Sequence, residues 1–376
     1  MKLWVTAVQS PWSMTSSNIY KGGKLVEIKQ VFRTLSEASG VSGYEHDLAS
    51  HIQDSCPWAD EIKTDKLGNL IMLKKGHGTN PKPKVMLAGH MDEIGLIITK
   101  IEKDGFLRFG TIGGFDQRVL LAQEVVVHAQ KPLTGIIGAK PPHIQAPGEQ
   151  SKAVSMEDLF IDVGFDNQEQ AEEYVRIGDI VTMKRDVLEL QGSFMAGKSF
   201  DDRAGVAAIV ECFKALSQMS HEADVYGVAT VQEEVGLRGA ITSTYGIVPD
   251  IGIAIDVGFG DSPGLPESDT LKLSQGPGIA IGPHVHPKVH ARMVETAQEW
   301  NISFSLDPSP HPGGTDAYAI QVARAGVATI LLSIPLRYMH TPIETLDYDD
   351  VKRTGRLMAM FIAGLDYEFV EGLTCF

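Results

Sequence analysis

Residues 83–95 have the sequence PKVMLAGHMDEIG, in which a short apolar run at 85–88 is followed directly by polar side chains. An apolar run of this length is typical of a strand buried on both faces. Further along the chain, a helical pattern at 201–219 is followed by apolar strands at 224–234 and 250–258. Alternating helices and buried strands predict an α/β fold.

The same pattern continues towards both ends of the chain. Two amphipathic helices are predicted within residues 23–54, where glycines interrupt apolar residues at helical spacing. A helix at 287–301, a buried strand at 328–335 and a helix at 350–366 complete the predicted framework.

The character of the sequence changes between residues 96 and 190. Short alternating strands separated by Gly, Pro and Asp, as in GFLRFGTIGG at 105–114, are typical of an antiparallel β domain or small barrel. We therefore predict a discontinuous α/β domain at 20–95 and 191–376, with a small β domain inserted at 96–190. Residues 1–19 are predicted to form a loose N-terminal extension.

Composition and charge exclude several classes of function. A formal net charge of −15 argues against nucleic acid and anionic membranes as partners. The three cysteines are an odd number without a CxxC pair, which suits a reducing compartment. Because the sequence contains neither a convincing signal peptide nor an uninterrupted apolar run of about 18 residues, we predict a cytoplasmic protein without a membrane span.

Side chains that can bind metal or transfer protons follow four of the predicted strands. They are His90, Asp92, Glu233, Glu234, Asp256 and His340. A single His or Asp after a strand is usually an ordinary loop residue. In open α/β sheets, however, ligands bind beyond the carboxyl ends of the strands, so the recurrence at four strands predicts one common site.

Two histidines and several carboxylates without cysteine form a ligand set suited to Zn, Co or Mn in a catalytic centre. Two such ions can polarise a carbonyl and activate a shared water, whose proton a separate carboxylate must accept. Because neighbouring side chains of a strand point in opposite directions, one of Glu233 and Glu234 can be a base and the other a ligand. Asp92 can orient the imidazole of His90.

Six ordered motifs make the sequence resemble the tetrahedral (glutamyl/deblocking) aminopeptidases, a branch of the co-catalytic di-metal exopeptidases. The motifs are AGHMDEIG at 88–95, KSFDDRAG at 198–205, VQEEVGLRGA at 231–240, AIDVG at 254–258, HPGGTDA at 311–317 and RYMHTPIE at 337–344. The resemblance implies a mixed-sheet catalytic domain with an inserted PDZ-like β domain. It also implies removal of N-terminal residues from short peptides, two divalent ions per subunit, and dimers assembled into a tetrahedral dodecamer.

The same resemblance implies a ligand set for the two ions. His90 and Asp256 would bind one ion, and Glu234 and His340 would bind the other. Asp201, at the start of a predicted helix, would bridge the two ions. Zn and Co are the expected metals, and Mn accepts the same ligands.

Two further roles follow from the resemblance, and two questions stay open. Glu233 would be the general base, and Asp92 would hold the imidazole of the first histidine. Asp202 stands where the family often has Asn, so either it or Asp201 can be the bridging carboxylate, and we favour Asp201. Asp316 either shapes the substrate pocket or belongs to a glycine-rich turn.

Two other functions are compatible with parts of this pattern. A glycoside hydrolase could use a pair of carboxylates as acid and nucleophile, but it would need neither histidine nor metal. A non-catalytic assembly protein could retain the fold, although the complete set of ligands and base argues against it. The preferred N-terminal residue of a peptide substrate is not predicted.

Overall fold

The computed structural model describes residues 27–374 except 80, 145–151 and 312. It also describes the backbone of two short antiparallel strands, β1 (Tyr20–Lys21) and β2 (Lys24–Leu25). The extension predicted at 1–19 lies outside the described residues. The chain folds as an α/β framework with a mixed sheet and a small closed β-barrel, which confirms the predicted fold class.

An eight-stranded mixed sheet forms the centre of the α/β framework. Its strands, numbered in chain order, are β3 (Glu61–Thr64), β4 (Leu70–Lys74), β5 (Lys84–His90), β14 (Asp224–Thr230), β15 (Ile251–Phe259), β16 (Gly278–Ile281), β17 (Ser305–Pro308) and β18 (Ala328–Leu336). Their order across the sheet is β17, β16, β18, β15, β5, β14, β4, β3.

The four central strands, β18, β15, β5 and β14, are parallel to one another. Almost every residue of β5, β15 and β18 is buried, because helices cover both faces of a parallel sheet. The carboxyl ends of these strands therefore meet at one edge of the sheet, where the polar side chains predicted from the sequence follow them.

The helices pack on this sheet or on one another. They are α1 (Ile28–Glu37), α2 (His46–Ser55), α4 (Phe200–Leu216), α5 (Arg238–Ile247), α6 (Pro287–Glu299), α7 (Asp316–Gln321), α8 (Tyr348–Ala363) and α9 (Tyr367–Glu371). Helices α4 and α8 approach closely at Gly355, where a Cβ atom would lie 2.6 Å from Cβ of Glu211. Of the helices that the structure describes, none combines the length and the apolar composition needed to cross a membrane.

The inserted region contains a closed antiparallel barrel with its own apolar core. Its strands are β6 (Gly95–Ile101), β7 (Leu107–Ile112), β8 (Glu124–His128), β9 (Pro132–Gly138), β10 (Phe160–Asp162) and β11 (Ile180–Met183). They follow the order β10, β7, β6, β11, β8, β9 around the barrel. The short helix α3 (Gln168–Glu172) belongs to the same region and exposes its acidic side chains.

A three-stranded sheet joins two distant parts of the chain and was not predicted. It consists of β12 (Leu188–Glu189), β13 (Phe194–Gly197) and β19 (Glu344–Asp347), with β13 in the middle. Strand β13 leads into α4, and β19 follows the loop that contains His340. This small sheet therefore holds together two segments that carry predicted site residues.

Three details of the predicted elements are wrong. The strand predicted at 224–234 ends at Thr230, because Gln232 has a left-handed backbone with φ of 55°. Asp256 lies inside β15 rather than at its end. The first residues of the predicted helix, Asp201 and Asp202, have non-helical backbone angles although the hydrogen-bonded helix begins before them.

Candidate metal centre

The five residues predicted as ligands meet beyond the central strands in two overlapping groups. His90, Asp201 and Asp256 form one group, and Asp201, Glu234 and His340 form the other. Within each group, the candidate ligand atoms all lie within 4.8 Å of one another. Asp201 is the one residue common to both groups.

The carboxylate of Asp201 lies between the two imidazoles. Its Oδ1 is 3.0 Å from Nε2 of His90, and its Oδ2 is 3.3 Å from Nε2 of His340. The same nitrogen of His340 is 3.4 Å from Oε1 of Glu234. Each carboxylate oxygen of Asp201 therefore faces a different imidazole.

Both imidazoles are oriented by a backbone carbonyl on the side away from Asp201. Nδ1 of His90 lies 3.1 Å from the carbonyl oxygen of Asp92, and Nδ1 of His340 lies 3.0 Å from that of Gly114. An Nδ1–H that donates to a carbonyl leaves the Nε2 lone pair free to bind a metal. Gly114 follows β7, so the barrel region orients one of the two histidines.

The side chain of Asp92 holds the loop after β14. Its Oδ1 accepts a hydrogen bond from the backbone N–H of Glu233 at 3.0 Å, and its Oδ2 accepts one from that of Glu234 at 3.2 Å. Ser42 donates its hydroxyl to the same Oδ2 at 2.6 Å. The Asp92 carboxylate is 3.6 Å from Nδ1 of His90, so it influences that imidazole mainly through its charge.

Asp201 and Asp202 have different surroundings although they are adjacent and joined by a cis peptide bond. Oδ1 of Asp202 accepts a hydrogen bond from the backbone N–H of Gly205 at 3.0 Å, within the same helix. Its Oδ2 is buried without a hydrogen-bond partner in the described part of the chain. The distances to both imidazoles thus favour Asp201 as the bridging carboxylate.

The Asp201 carboxylate and the two imidazoles shift one another's pKa values. Burial lowers the pKa of His90, but the Asp201 and Asp92 carboxylates outweigh burial and raise it well above its usual value. Hydrogen bonds to Asp201 and Glu234 raise the pKa of His340 to about 11. Burial would raise the pKa of Asp201, but the two imidazoles outweigh it and lower this pKa.

The surroundings of the other carboxyl groups of the cluster disfavour their ionised form. Burial, reinforced by neighbouring carboxylates, raises the pKa of Glu233 to about 10 and that of Asp256 to about 8. Burial also raises the pKa of Asp316 to about 6. All three carboxyl groups would ionise more readily if a positive charge were close to them.

The donor set and its charge fit divalent cations. Carboxylates outnumber imidazoles in the cluster, and all its donors are nitrogen or oxygen, as Zn, Co and Mn prefer. Two buried carboxylate oxygens, Oδ2 of Asp202 and Oδ1 of Asp316, have no hydrogen-bond partner among the described residues. Buried negative charge without a counter-charge is costly, and bound cations would supply that counter-charge.

Several residues that hold the candidate ligands in place could not be predicted from the sequence. The carbonyl of Gly114 and the hydroxyl of Ser42 act over long sequence separations and carry no local signal. Glu344 ends the motif RYMHTPIE but was not singled out, although it is buried beside the cluster. Asp316, for which the sequence allows either a pocket or a turn role, is buried and accepts a hydrogen bond from Thr230 at 2.5 Å.

A buried network of charged side chains lies beside the site. Oε1 of Glu93 accepts a hydrogen bond from Nη2 of Arg203 at 3.1 Å, and its Oε2 accepts one from Nζ of Lys198 at 2.7 Å. Arg203, which is fully buried, also donates to the backbone carbonyl of Met91 at 3.2 Å and to those of Leu35 and Ala38. The network ties the end of β5 to the region around the end of α1.

We expect Glu93→Gln to lower the free energy of unfolding by about 3–5 kcal/mol, because it leaves two buried cations without their counter-charge. Urea denaturation followed by circular dichroism would measure the change. The matched control is Glu189→Gln, which removes a carboxylate that pairs with Lys29 and Arg33 at the surface. Equal destabilisation by both substitutions would contradict the importance of the buried network.

The sequence matches the M42 glutamyl aminopeptidase family over residues 68–357. It is 40% identical to a lysyl aminopeptidase of Pyrococcus furiosus, an alignment that covers 87% of this chain and 94% of that protein.

Solved structures agree with this relationship. A TET aminopeptidase from a marine sediment Thaumarchaeota archaeon has a TM-score of 0.87 and 36% identity, covering 92% of this chain and 99% of that one. The TET1 peptidase of Pyrococcus horikoshii, which can assemble into a tetrahedron or a large octahedral shell, has a TM-score of 0.79 and 32% identity. That comparison covers 90% of this chain and all of the other.

Fold, sequence and site together define a peptide-bond hydrolase, and more narrowly an aminopeptidase. The chain belongs to the M42 glutamyl aminopeptidase family. This result confirms the resemblance seen in the sequence motifs and the prediction of an enzyme.

Proposed function

We propose that the protein removes single residues from the free N-termini of short peptides, with two divalent metal ions bound at the centre described above. The observation that carries this proposal is the position of the Asp201 carboxylate. Each of its oxygens faces a different imidazole, and each imidazole belongs to a group that contains one further carboxylate. A cluster with this shared carboxylate suits two neighbouring cations.

In this proposal His90 and Asp256 bind one ion, Glu234 and His340 bind the other, and Asp201 bridges them. Zn or Co are the expected metals, and Mn is compatible with the same ligands. When bound, such a pair of ions polarises the scissile carbonyl and makes a shared water more acidic.

Glu233 is proposed as the general base. It belongs to neither group of candidate ligand atoms, yet its backbone N–H is held by Asp92 next to that of the ligand Glu234. Glu233 would accept a proton from the attacking water as the new carbon–oxygen bond forms. It would then return the proton to the leaving nitrogen as the peptide bond breaks.

The surplus of carboxylates around the centre also supports a preference for unblocked peptides. A free α-amino group is largely protonated near neutral pH, because its usual pKa is about 7.7–8.0. Negative charge on Asp316, whose pKa is about 6, would attract this ammonium group. An acylated N-terminus lacks the charge and would not be attracted.

We further propose a cytoplasmic homo-oligomer, built from dimers that form a tetrahedral dodecamer. Support for the assembly comes from the TET1 peptidase of Pyrococcus horikoshii, which can assemble into a tetrahedron or a large octahedral shell. The inserted region at 96–190, with its separate core, is the proposed assembly domain. Sedimentation velocity of the purified protein distinguishes a dimer from a closed shell.

The test of the proposed activity compares a short peptide with its N-acetylated form. Protein depleted of metal by a chelator should be inactive, and added cobalt or zinc should restore release of the N-terminal amino acid. We expect the acetylated peptide to be hydrolysed at least about 100-fold more slowly, because a missing charged contact can cost about 2.7 kcal/mol.

Equal hydrolysis of the blocked and unblocked peptides would contradict the aminopeptidase assignment. The glycoside hydrolase alternative makes a different prediction, because two carboxylates alone would perform that reaction. Hydrolysis of a soluble glucan that persists in the presence of chelator would therefore support the alternative.

A further inference from the structure

Glu344 lies where the two segments that carry Asp201 and His340 meet. It is the first residue of β19, which pairs with β13, the strand that leads towards Asp201. A second pairing, between Arg337 and Thr345, closes the loop that contains His340. Any side chain at position 344 is therefore within reach of both segments.

Each oxygen of the Glu344 carboxylate holds the backbone of one proposed ligand. Oε2 accepts a hydrogen bond from the N–H of Asp201 at 3.1 Å, and Oε1 accepts one from the N–H of His340 at 2.8 Å. The side chain is only 2% exposed. Because both hydrogen bonds end on one buried side chain, they restrict the movement of the two segments relative to each other.

His340 depends on the hydrogen bond to Glu344 more than His90 depends on any comparable contact. His340 has a left-handed backbone with φ of 59°, a conformation that a residue other than glycine adopts only when its surroundings enforce it. Its side chain is 36% exposed, whereas that of His90 is 3% exposed. Packing alone therefore encloses His340 less than it encloses His90.

The chemistry of the contact requires a carboxylate. Burial and the charge of Asp201 raise the pKa of this carboxyl group to about 8, although the hydrogen bonds from the N–H groups of Asp201 and His340 oppose that rise. Glutamine has the same shape but offers a single acceptor oxygen, and its NH₂ group would face one of the two backbone N–H donors. The structure therefore explains why the position carries Glu.

We propose that Glu344 is a positioning residue that sets the separation of Asp201 and His340 and thereby the affinity of the second ion. The second ion is the one held by Asp201, Glu234 and His340. This inference rests on the two-metal function proposed above. Glu344 itself touches neither substrate nor ion in this proposal.

Stepwise titration of the metal-free protein with Co(II) tests the inference, with visible absorption and equilibrium dialysis reporting each binding step. We expect Glu344→Gln to bind the ion at His90 and Asp256 nearly as the unmodified protein does and the ion at Glu234 and His340 about 10- to 100-fold more weakly, as for other residues that orient ligands. His340→Ala identifies the second step, because it removes a ligand of that ion.

The matched control is Asp350→Asn. Asp350 is also a buried carboxylate with two backbone donors, since it accepts hydrogen bonds from the N–H groups of Ser274 and Gly276, each at 2.7 Å. The variant Asp350→Asn should lower the stability of the protein without changing its affinity for either ion. Equal weakening of the second ion by Asp350→Asn would show general loosening and would overturn the inference.

Unchanged affinity for both ions in Glu344→Gln would also overturn it. If that variant does not fold, Glu344→Asp replaces it, because aspartate keeps two acceptor oxygens on a shorter side chain. Its affinity for the second ion should lie below that of the unmodified protein, and an unchanged value would overturn the inference. Failure of the unmodified protein to bind two ions would instead contradict the proposed function itself.

Discussion

Glu233→Gln should lower kcat for release of an N-terminal amino acid by about 10²- to 10⁴-fold, the usual contribution of a general base. Glutamine keeps the shape of the side chain but cannot accept the proton of the attacking water. The loss should appear in kcat rather than in KM, because the substitution removes proton transfer and leaves the ligands of the metal centre intact.

Metal analysis separates this effect from loss of the site. Because Glu233 belongs to neither group of candidate ligand atoms, the variant should still bind two ions per subunit. The control is Glu295→Gln, which makes the same chemical change at an exposed position of α6. Full activity in the Glu233 variant would remove this residue from the mechanism.

We expect Asp201→Asn to lower activity as strongly as Glu233→Gln, but for a different reason. It should cause loss of the bound ions. Asparagine presents an NH₂ group to one imidazole in place of a carboxylate oxygen, so it cannot serve both groups of ligands. We expect fewer than two bound ions per subunit by metal analysis and activity reduced at least about 100-fold.

Asp202→Asn is the matched comparison for the bridging carboxylate. Asparagine can still accept the hydrogen bond from the N–H of Gly205, and it replaces a carboxyl group whose pKa is raised by burial and by the charge of Asp256. We expect this variant to retain two ions. The opposite pattern, with ions lost from Asp202→Asn and kept by Asp201→Asn, would identify Asp202 as the bridge.

The central part of the fold was predictable from local sequence. The apolar run before His90 and the pattern at 250–258 identify parallel strands because both faces of such strands are buried. The small sheet of β12, β13 and β19 was not predictable, because its strands are short and pair across long sequence separations. Pairing of this kind leaves no periodic pattern in either segment.

The candidate site shows the same division between local and distant information. Most of the candidate ligands were accessible because they lie near the carboxyl ends of parallel strands, whereas Asp201 was identified through the resemblance of its motif. The different positions of the Asp201 and Asp202 side chains could not be derived from local sequence. The two residues are chemically identical, and only the folded backbone determines where each side chain points. The roles of Gly114 and Glu344 depend on contacts that span 226 and 143 residues, respectively.

The hydrogen bond from His340 to the carbonyl of Gly114 links the barrel to the catalytic chemistry. Local opening of the loop after β7 would break this hydrogen bond and release the imidazole. Ion binding and local opening of the loop would therefore be thermodynamically linked. This linkage is reciprocal. A bound ion would protect the loop from opening, and a more rigid loop would raise the affinity for the ion. If the ions bind as proposed, the inserted barrel would influence their affinity although it supplies none of the ligands.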